Sequence, residues 1–207
     1  NTTVILTAST TDQTSIFKNW TGDCVDASTN VVATVTMLTS ITCTANFIKP
    51  LYVIGDPGPA GGTVFYISDV GGLHGLEAAP VDQTGASWGC LGMDIRGAIG
   101  SAIGTGAQNT AAIIAAGCTE AGTAAKLAVA YVLNGNTGWF LPSIDEAREL
   151  FLQKAVLSNL SATDFYWTST QQSSSGMDYS LIMALFSGRG GSSIKSGLYR
   201  IRVIRAF

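Results

Sequence analysis

The residues of this chain that could do chemistry are its cysteines, a lone histidine, adjacent carboxylates and glycine-rich runs. Cys24, Cys43, Cys90 and Cys118 include no CxxC pair, and His74 completes no familiar zinc spacing with them, so no metal site is expected. Two cysteines lie before residue 50 and two after it. The simplest pairing is Cys24 with Cys43 and Cys90 with Cys118; other connectivities stay open, as do free thiols in a reducing compartment. Asp145 and Glu146 follow Ser143 at the spacing of a helix capping box, a role that acidic residues in a first turn fill far more often than acid/base catalysis. His74 has no sequence-evident partner, and Ser173 to Ser175 lie in no nucleophile elbow. The glycines of 55–62 precede a strand, the wrong order for cradling phosphate, and Gly104-Thr105-Gly106 lacks both the last glycine and the leading strand of a dinucleotide fingerprint. No catalytic residue and no cofactor are therefore expected, and the chain reads as a non-enzyme.

Composition narrows the partners. A chain of 207 residues with 46% hydrophobic content can bury a sizeable core. Only 12% of residues are charged and the net charge is -3, so no basic field exists to attract nucleic acid. No apolar run reaches the length needed to span a bilayer, so no direct membrane insertion is expected. The opening residues carry no leader pattern, which places any signal or anchor outside these residues. Low charge with abundant Gly, Ser, Thr and Ala fits a secreted or surface protein, at a cell or virion surface.

Residues 1–49 read as a small all-β module, immunoglobulin-like or a β-repeat. Its strands are expected over 4–8, 16–20, 31–37 and 41–47, with turn clusters between them. Lys49-Pro50 marks a boundary. Residues 50–207 form the second domain, opening with the strand Thr63–Ile67. Residues 69–106 read as loop, pinned by Trp88 and Cys90. Helices are expected from Asn109 as N-cap to Ala116, from about Thr123 to Leu133, and from Ser143 to about Leu157. Strands return at 165–169, 179–186 and 199–207, and Thr63–Ile67 is expected to pair with the last of them.

The interval between Trp167 and Arg200 is nearly uncharged and rich in Ser and Gly, yet it carries apolar residues at positions that the flanking pattern leaves in solvent. Such a surface between structured segments suggests contact with an outside molecule. The candidate contacts are Gln171, Ser173, Ser175, Met177, Asp178, Tyr179, Met183, Leu185, Ser187, Arg189, Ser192, Ile194, Ser196, Leu198 and Tyr199. In the strand over 179–186, Ile182, Ala184 and Phe186 alternate with Leu181, Met183 and Leu185. The plainer reading is a central strand buried on both faces. Calcium-type sugar binding would need clustered acids, and the terminal segment offers only Asp164 and Asp178. Sulfated glycans would need Arg189, Lys195, Arg200, Arg202 and Arg205.

Three segments carry a resemblance: Ile54-Gly55-Asp56-Pro57-Gly58-Pro59-Ala60-Gly61-Gly62-Thr63-Val64-Phe65-Tyr66; Gly138-Trp139-Phe140-Leu141-Pro142-Ser143 with Glu146; and Tyr166-Trp167-Thr168-Ser169-Thr170 with Ile201-Arg202-Val203-Ile204-Arg205-Ala206-Phe207. Together they resemble the C-terminal domain of bacterial collagen-like adhesins, in the formylglycine-generating-enzyme-related branch of the C-type-lectin-like fold. The resemblance implies an α+β domain with two main helices against a twisted antiparallel sheet, its first and last strands adjacent. Oxidases of that branch use a cysteine pair late in the domain, and this chain has no cysteine after Cys118. Other members are the variable proteins of diversity-generating retroelements, in which adenine-directed mutagenesis rewrites the segment before the terminal strand. Here that implies a variable binding surface over residues 171–199, with Gln171, Gln172, Met177 and Met183 template-fixed or differently encoded. Ile182 stands where relatives commonly have Trp. The implied partner is a protein or glycan on a target cell surface. The N-terminal run, with Phe17–Trp20, Thr21-Gly22-Asp23-Cys24 and Thr44-Ala45-Asn46-Phe47, resembles β repeats that space out bacterial surface proteins.

Overall fold

The computed structural model describes residues 2–10, 14–27, 29–174 and 177–207. The chain divides into two compact units, one of residues 1–53 with Ser68–His74 and one of Ile54–Ile67 with Gly75–Phe207. In the first, β1 (Thr2–Thr7), β2 (Ile16–Gly22), β3 (Val32–Met37) and β4 (Cys43–Ile48) form two antiparallel pairs, β1 with β3 and β2 with β4. β-branched and aromatic residues fill these strands, and Trp20, Ala8, Cys24 and Ala33 form the small core, with Phe17, Val35 and Phe47 against it. So slight a core needs a staple, and the Cys24–Cys43 disulfide supplies one.

The second unit is α+β. It contains β5 (Thr63–Ile67), β6 (Gly75–Ala78), β7 (Gln83–Ala86), α1 (Gly106–Ala115), α2 (Ala124–Ala130), α3 (Ile144–Leu152), β8 (Tyr166–Gln171), β9 (Tyr179–Ala184), β10 (Arg189–Ile194), β11 (Tyr199–Ile201) and β12 (Ile204–Ala206). One sheet runs β10-β9-β8-β11-β7 and a second runs β12-β6-β5. Only β8 with β11 is parallel among these pairs. The opening and closing strands do not pair with each other as expected, because β6 lies between them and bonds to both. That strand escapes notice in sequence because it is short and carries the buried Glu77.

Helix ends follow local chemistry. Ser143 and Glu146 form a reciprocal capping box at the start of α3, which stops at Leu152, short of the expected Leu157. Asn109 is not an N-cap. It lies inside α1, where its buried amide donates to the Gly100 carbonyl and the Ser169 hydroxyl and accepts from the Gly100 N–H. The Cys90–Cys118 disulfide closes the loop that contains α1.

Two apolar clusters bury both faces of the five-stranded sheet at its centre. Trp167 and Ile182 join Trp88, Trp139, Ile113 and the α2 alanines in one. Their chain neighbours Tyr166 and Met183 join Phe65, Leu150 and Ile204 in the other, with Leu185. Alternate strand residues point to opposite faces, so β8 and β9 are buried throughout their centres. This corrects the expectation of solvent for Met183 and Leu185, each 1% exposed. Truncating Met183 to Ala should cost about 2–5 kcal/mol, the range for emptying a packed site, whereas Ile194→Ala should fall within about 0.5 kcal/mol of wild type. Urea denaturation of the two variants checks the assignment; equal losses would contradict it.

Candidate ligand-binding surface

The surface is built on the β9–β10 hairpin. Tyr179 lies directly across from Ile194 and Leu181 across from Ser192, so these four share one face of the hairpin. Tyr179 is 40% exposed and Ile194 43%, while Met177 at 55% and Leu198 at 74% project from the flanking loops. Ser173, Asp178, Ser187, Arg189, Ser192 and Ser196 are also exposed. Ser175 lies outside the described residues. Tyr199 is half-buried: its ring packs edge-on against Trp167 and Phe165, and its hydroxyl shares a hydrogen bond with Ser193 Oγ at 2.9 Å. Gln171 is not a surface contact. Its buried side chain accepts from the Ile95 N–H and donates to Asp94 Oδ1, at 2.8 and 2.7 Å.

Beneath the hairpin sits a buried lysine. Lys195 has no exposed surface, and its Nζ donates to the Met93 carbonyl (2.7 Å) and to Gln171 Oε1 (2.9 Å) while lying 4.6 Å from the centre of the Trp88 ring. The Lys195 backbone N–H donates to the Asp178 carbonyl and its own carbonyl accepts from Trp88 N–H. One residue thus ties the end of β10, the loop before β9 and the segment 88–95 together. Burial lowers its pKa from 10.5 to about 8, against the opposing pull of Asp94 and Asp178. Sequence reading placed Lys195 among possible anion contacts. The available signal was its isolation: a lone lysine in a nearly uncharged segment bounded by strands.

Other charges are likewise interior. Arg202 donates through Nε to Asp82 (2.7 Å) and through its terminal nitrogens to the carbonyls of Ala79, Ser158 and Asn159. Tyr166 donates to the same Asp82 at 2.6 Å, and burial and that bond raise its pKa. With Lys195 and Arg202 enclosed, the expected basic set for sulfated glycans is reduced to Arg189, Arg205, which pairs with Glu77, and Arg200, which pairs with Asp164.

The glycine-rich runs do cradle an anion, but one supplied by the chain. Ala60 and Gly62 donate backbone N–H groups to the buried Glu77 carboxylate, which also receives Arg205, and a Cβ on Gly58 would meet Glu77 Oε2 at 2.5 Å. Gly104 N–H and Ser143 N–H bond Glu146 at 2.8 and 2.7 Å. Burial raises the pKa of Glu146, and those N–H donors oppose the shift. A Cβ on Gly106 would meet Glu146 Oε2 at 2.2 Å, so glycine is required there.

In the first unit His74 does have a carboxylate neighbour, Asp69 at 3.1 Å. The nearby Ser68 hydroxyl donates to the His74 backbone carbonyl and not to its ring, so the three form a loop closure rather than a nucleophile relay. Among the described residues no cluster of three or more His, Cys, Asp or Glu could hold a metal ion, and no helix is long and apolar enough to cross a membrane. An open cavity of about 470 Å³ is bordered by Thr84, Asp164, Phe165, Leu198, Tyr199 and Arg200. Compared with known protein families and with curated proteins, the chain matches none.

The lowered pKa of Lys195 has a thermodynamic sign. Between about pH 8 and 10.5 the unfolded chain holds a proton that the folded chain has released, so stability rises with pH across that window. Relative to Lys195→Met, wild type should gain about 1 kcal/mol per pH unit from pH 8.5 to 10. Denaturant titrations of both proteins at several pH values read this directly, and a pH-independent difference would rule it out.

Proposed function

We propose that residues 50–207 are a C-type-lectin-like domain that displays a ligand-binding surface without catalysing a reaction, outside the cell or on a cell or virion surface. Under this reading the protein is a variable protein of a diversity-generating retroelement, with segment 171–199 as its binding region. The observation that carries it is the exposure of Met177, Tyr179, Ile194 and Leu198 among serines and glycines, on a hairpin whose base is locked by buried polar groups. Tyr, Met and aliphatic anchors among small residues suit contact with a protein surface, and a rigid base limits the entropy lost on binding. Disulfides in both units favour an oxidising location.

A glycan-binding adhesin is the second reading, favoured by the cavity beside Tyr199. There the aromatic rings of Phe165 and Tyr199 lie near the Asp164–Arg200 pair, which offers fixed acceptors and donors to sugar hydroxyls.

Binding to arrays of cell-surface proteins and of glycans separates the two. For a protein target, Tyr179→Ala and Ile194→Ala should each weaken affinity by roughly fivefold to thirtyfold, about 1–2 kcal/mol, while Phe165→Ala should matter more for a glycan. Unchanged affinity in the first two would remove the hairpin from consideration. A near-identical template repeat and a reverse transcriptase in the neighbouring DNA would mark the segment as diversified.

A further inference from the structure

Most sheet edges in the second unit are short or interrupted. β12 has three residues, β7 has four and shifts register against β11, and β5 shifts register against β6. β10 differs. It is six residues long, lies at the end of its sheet, and pairs with β9 in unbroken register without a proline or bulge. Undefended edges of this kind are templates for another strand.

The hydrogen-bond phase shows which groups the edge offers. Lys195 N–H donates to Asp178 carbonyl, so that pair is a hydrogen-bonded one, and alternation turns Ser193, Gly191 and Arg189 toward β9. Gly190, Ser192 and Ile194 then point their backbone groups outward. The Ile194 carbonyl already accepts from Gly197 N–H at 2.8 Å. Gly190 and Ser192 are left with outward N–H and C=O groups that meet no other strand among the described residues.

The two glycines of this strand are not demanded by the fold. Neither has a positive φ, and a Cβ would meet nothing closer than Met183 Cε at 3.8 Å for Gly190 or Ile182 Cγ1 at 3.9 Å for Gly191, which is ordinary contact. Glycine weakens a strand, and where no bulge explains it, it marks the close approach of another backbone.

We propose that β10 pairs antiparallel with β10 of a second copy of this chain, about a two-fold axis through Gly191. In that register Gly190 faces Ser192 of the second copy, and the outward groups of both residues are satisfied on both chains. Gly191 faces its own twin in the narrow, non-hydrogen-bonded position, where Cα atoms approach to about 4.5 Å. Glycine lets the two backbones meet there with nothing between them, and a cysteine pair at that separation falls within disulfide reach. Arg189 faces Ser193 of the second copy, so the like charges of the two chains are not opposed. The register centred on Ser192 is worse, since it calls on the Ile194 carbonyl that Gly197 already occupies.

Sedimentation velocity over a concentration series tests this on the intact chain, with the expected result a reversible dimer. Ser192→Pro removes an outward N–H and no bond to β9, and a proline is tolerated on an edge with that geometry. Gly190→Pro removes the other outward N–H and likewise no bond to β9, and the space beside Gly190 admits a ring, since an added Cβ meets nothing closer than 3.8 Å. Both variants should keep the wild-type circular dichroism and lose the dimer. No free cysteine is present among the described residues, so Gly191→Cys provides a single thiol that should yield a covalent dimer on mild oxidation. A wild-type monomer at every concentration, a dimer that survives in either folded variant, or a Gly191→Cys chain that stays monomeric would overturn the proposal. A monomer would leave the ligand-binding reading intact, because neither rests on the other.

Discussion

The buried ammonium of Lys195 is the contact on which the exposed hairpin depends. Removing a charge from water is costly unless donors and acceptors replace the solvent, and here two oxygen acceptors and the Trp88 ring do so. All of these partners lie on segments without regular structure or at strand ends: Met93 in a loop, Gln171 at the end of β8, Trp88 just past β7. The lysine therefore converts three loosely specified pieces of chain into one rigid base. Burial lowers its pKa against the pull of Asp94 and Asp178, so these neighbours offset only part of what the charge loses on leaving water.

The same device recurs across the second unit with the opposite sign. Glu77 and Glu146 are fully enclosed and receive backbone N–H groups from the glycine-rich runs. Converging backbone N–H groups bind anions in other proteins, and here a carboxylate from the chain fills each group. Glycine is then required by contact: at Gly58 and Gly106 an added Cβ would collide with the carboxylate itself. The Thr168-Ser169-Thr170 run works in the same way from within β8. Thr168 and Thr170 hydroxyls donate to the carbonyls of Leu181 and Gly100, and Ser169 accepts from Asn109. Polar residues in a fully buried strand are thereby satisfied, and they hold the irregular segments around it.

What could be read in the sequence follows the range of the forces involved. The capping box of α3 was legible because Ser143 and Glu146 are three residues apart, and the Cys24–Cys43 and Cys90–Cys118 bridges coincide with the simplest pairing. Strands β1 to β4 were legible within a few residues from their β-branched runs. β6, β7 and β10 were not. β6 and β7 are short and are held by the distant β12 and β11, while the glycines and serines of β10 are poor strand formers. The split of β9 between two cores was visible only as two alternatives, since period-two alternation cannot say whether a second layer covers the other face. α3 provides that layer. Likewise the partners of Gln171 and Lys195 lie about 76 and 102 residues away in sequence, beyond any local pattern.

This separation of anchors from exposed positions constrains the proposed variability. Within 171–199, Gln171, Met183, Leu185 and Lys195 are interior, whereas Tyr179, Ser192, Ile194 and Leu198 face solvent. Replacement at the second group comes at little cost in stability. Replacement at Lys195 strands the Met93 carbonyl and leaves the Gln171–Asp94 contact without its cation. A lysine codon begins with two adenines, so adenine-directed rewriting that reached position 195 would strike it in a large share of copies. A diversified segment compatible with this fold must therefore stop before Lys195 or skip it. The exposed face of β9 and β10 then becomes the region free to vary, while Tyr199, packed edge-on against Trp167, belongs to the frame.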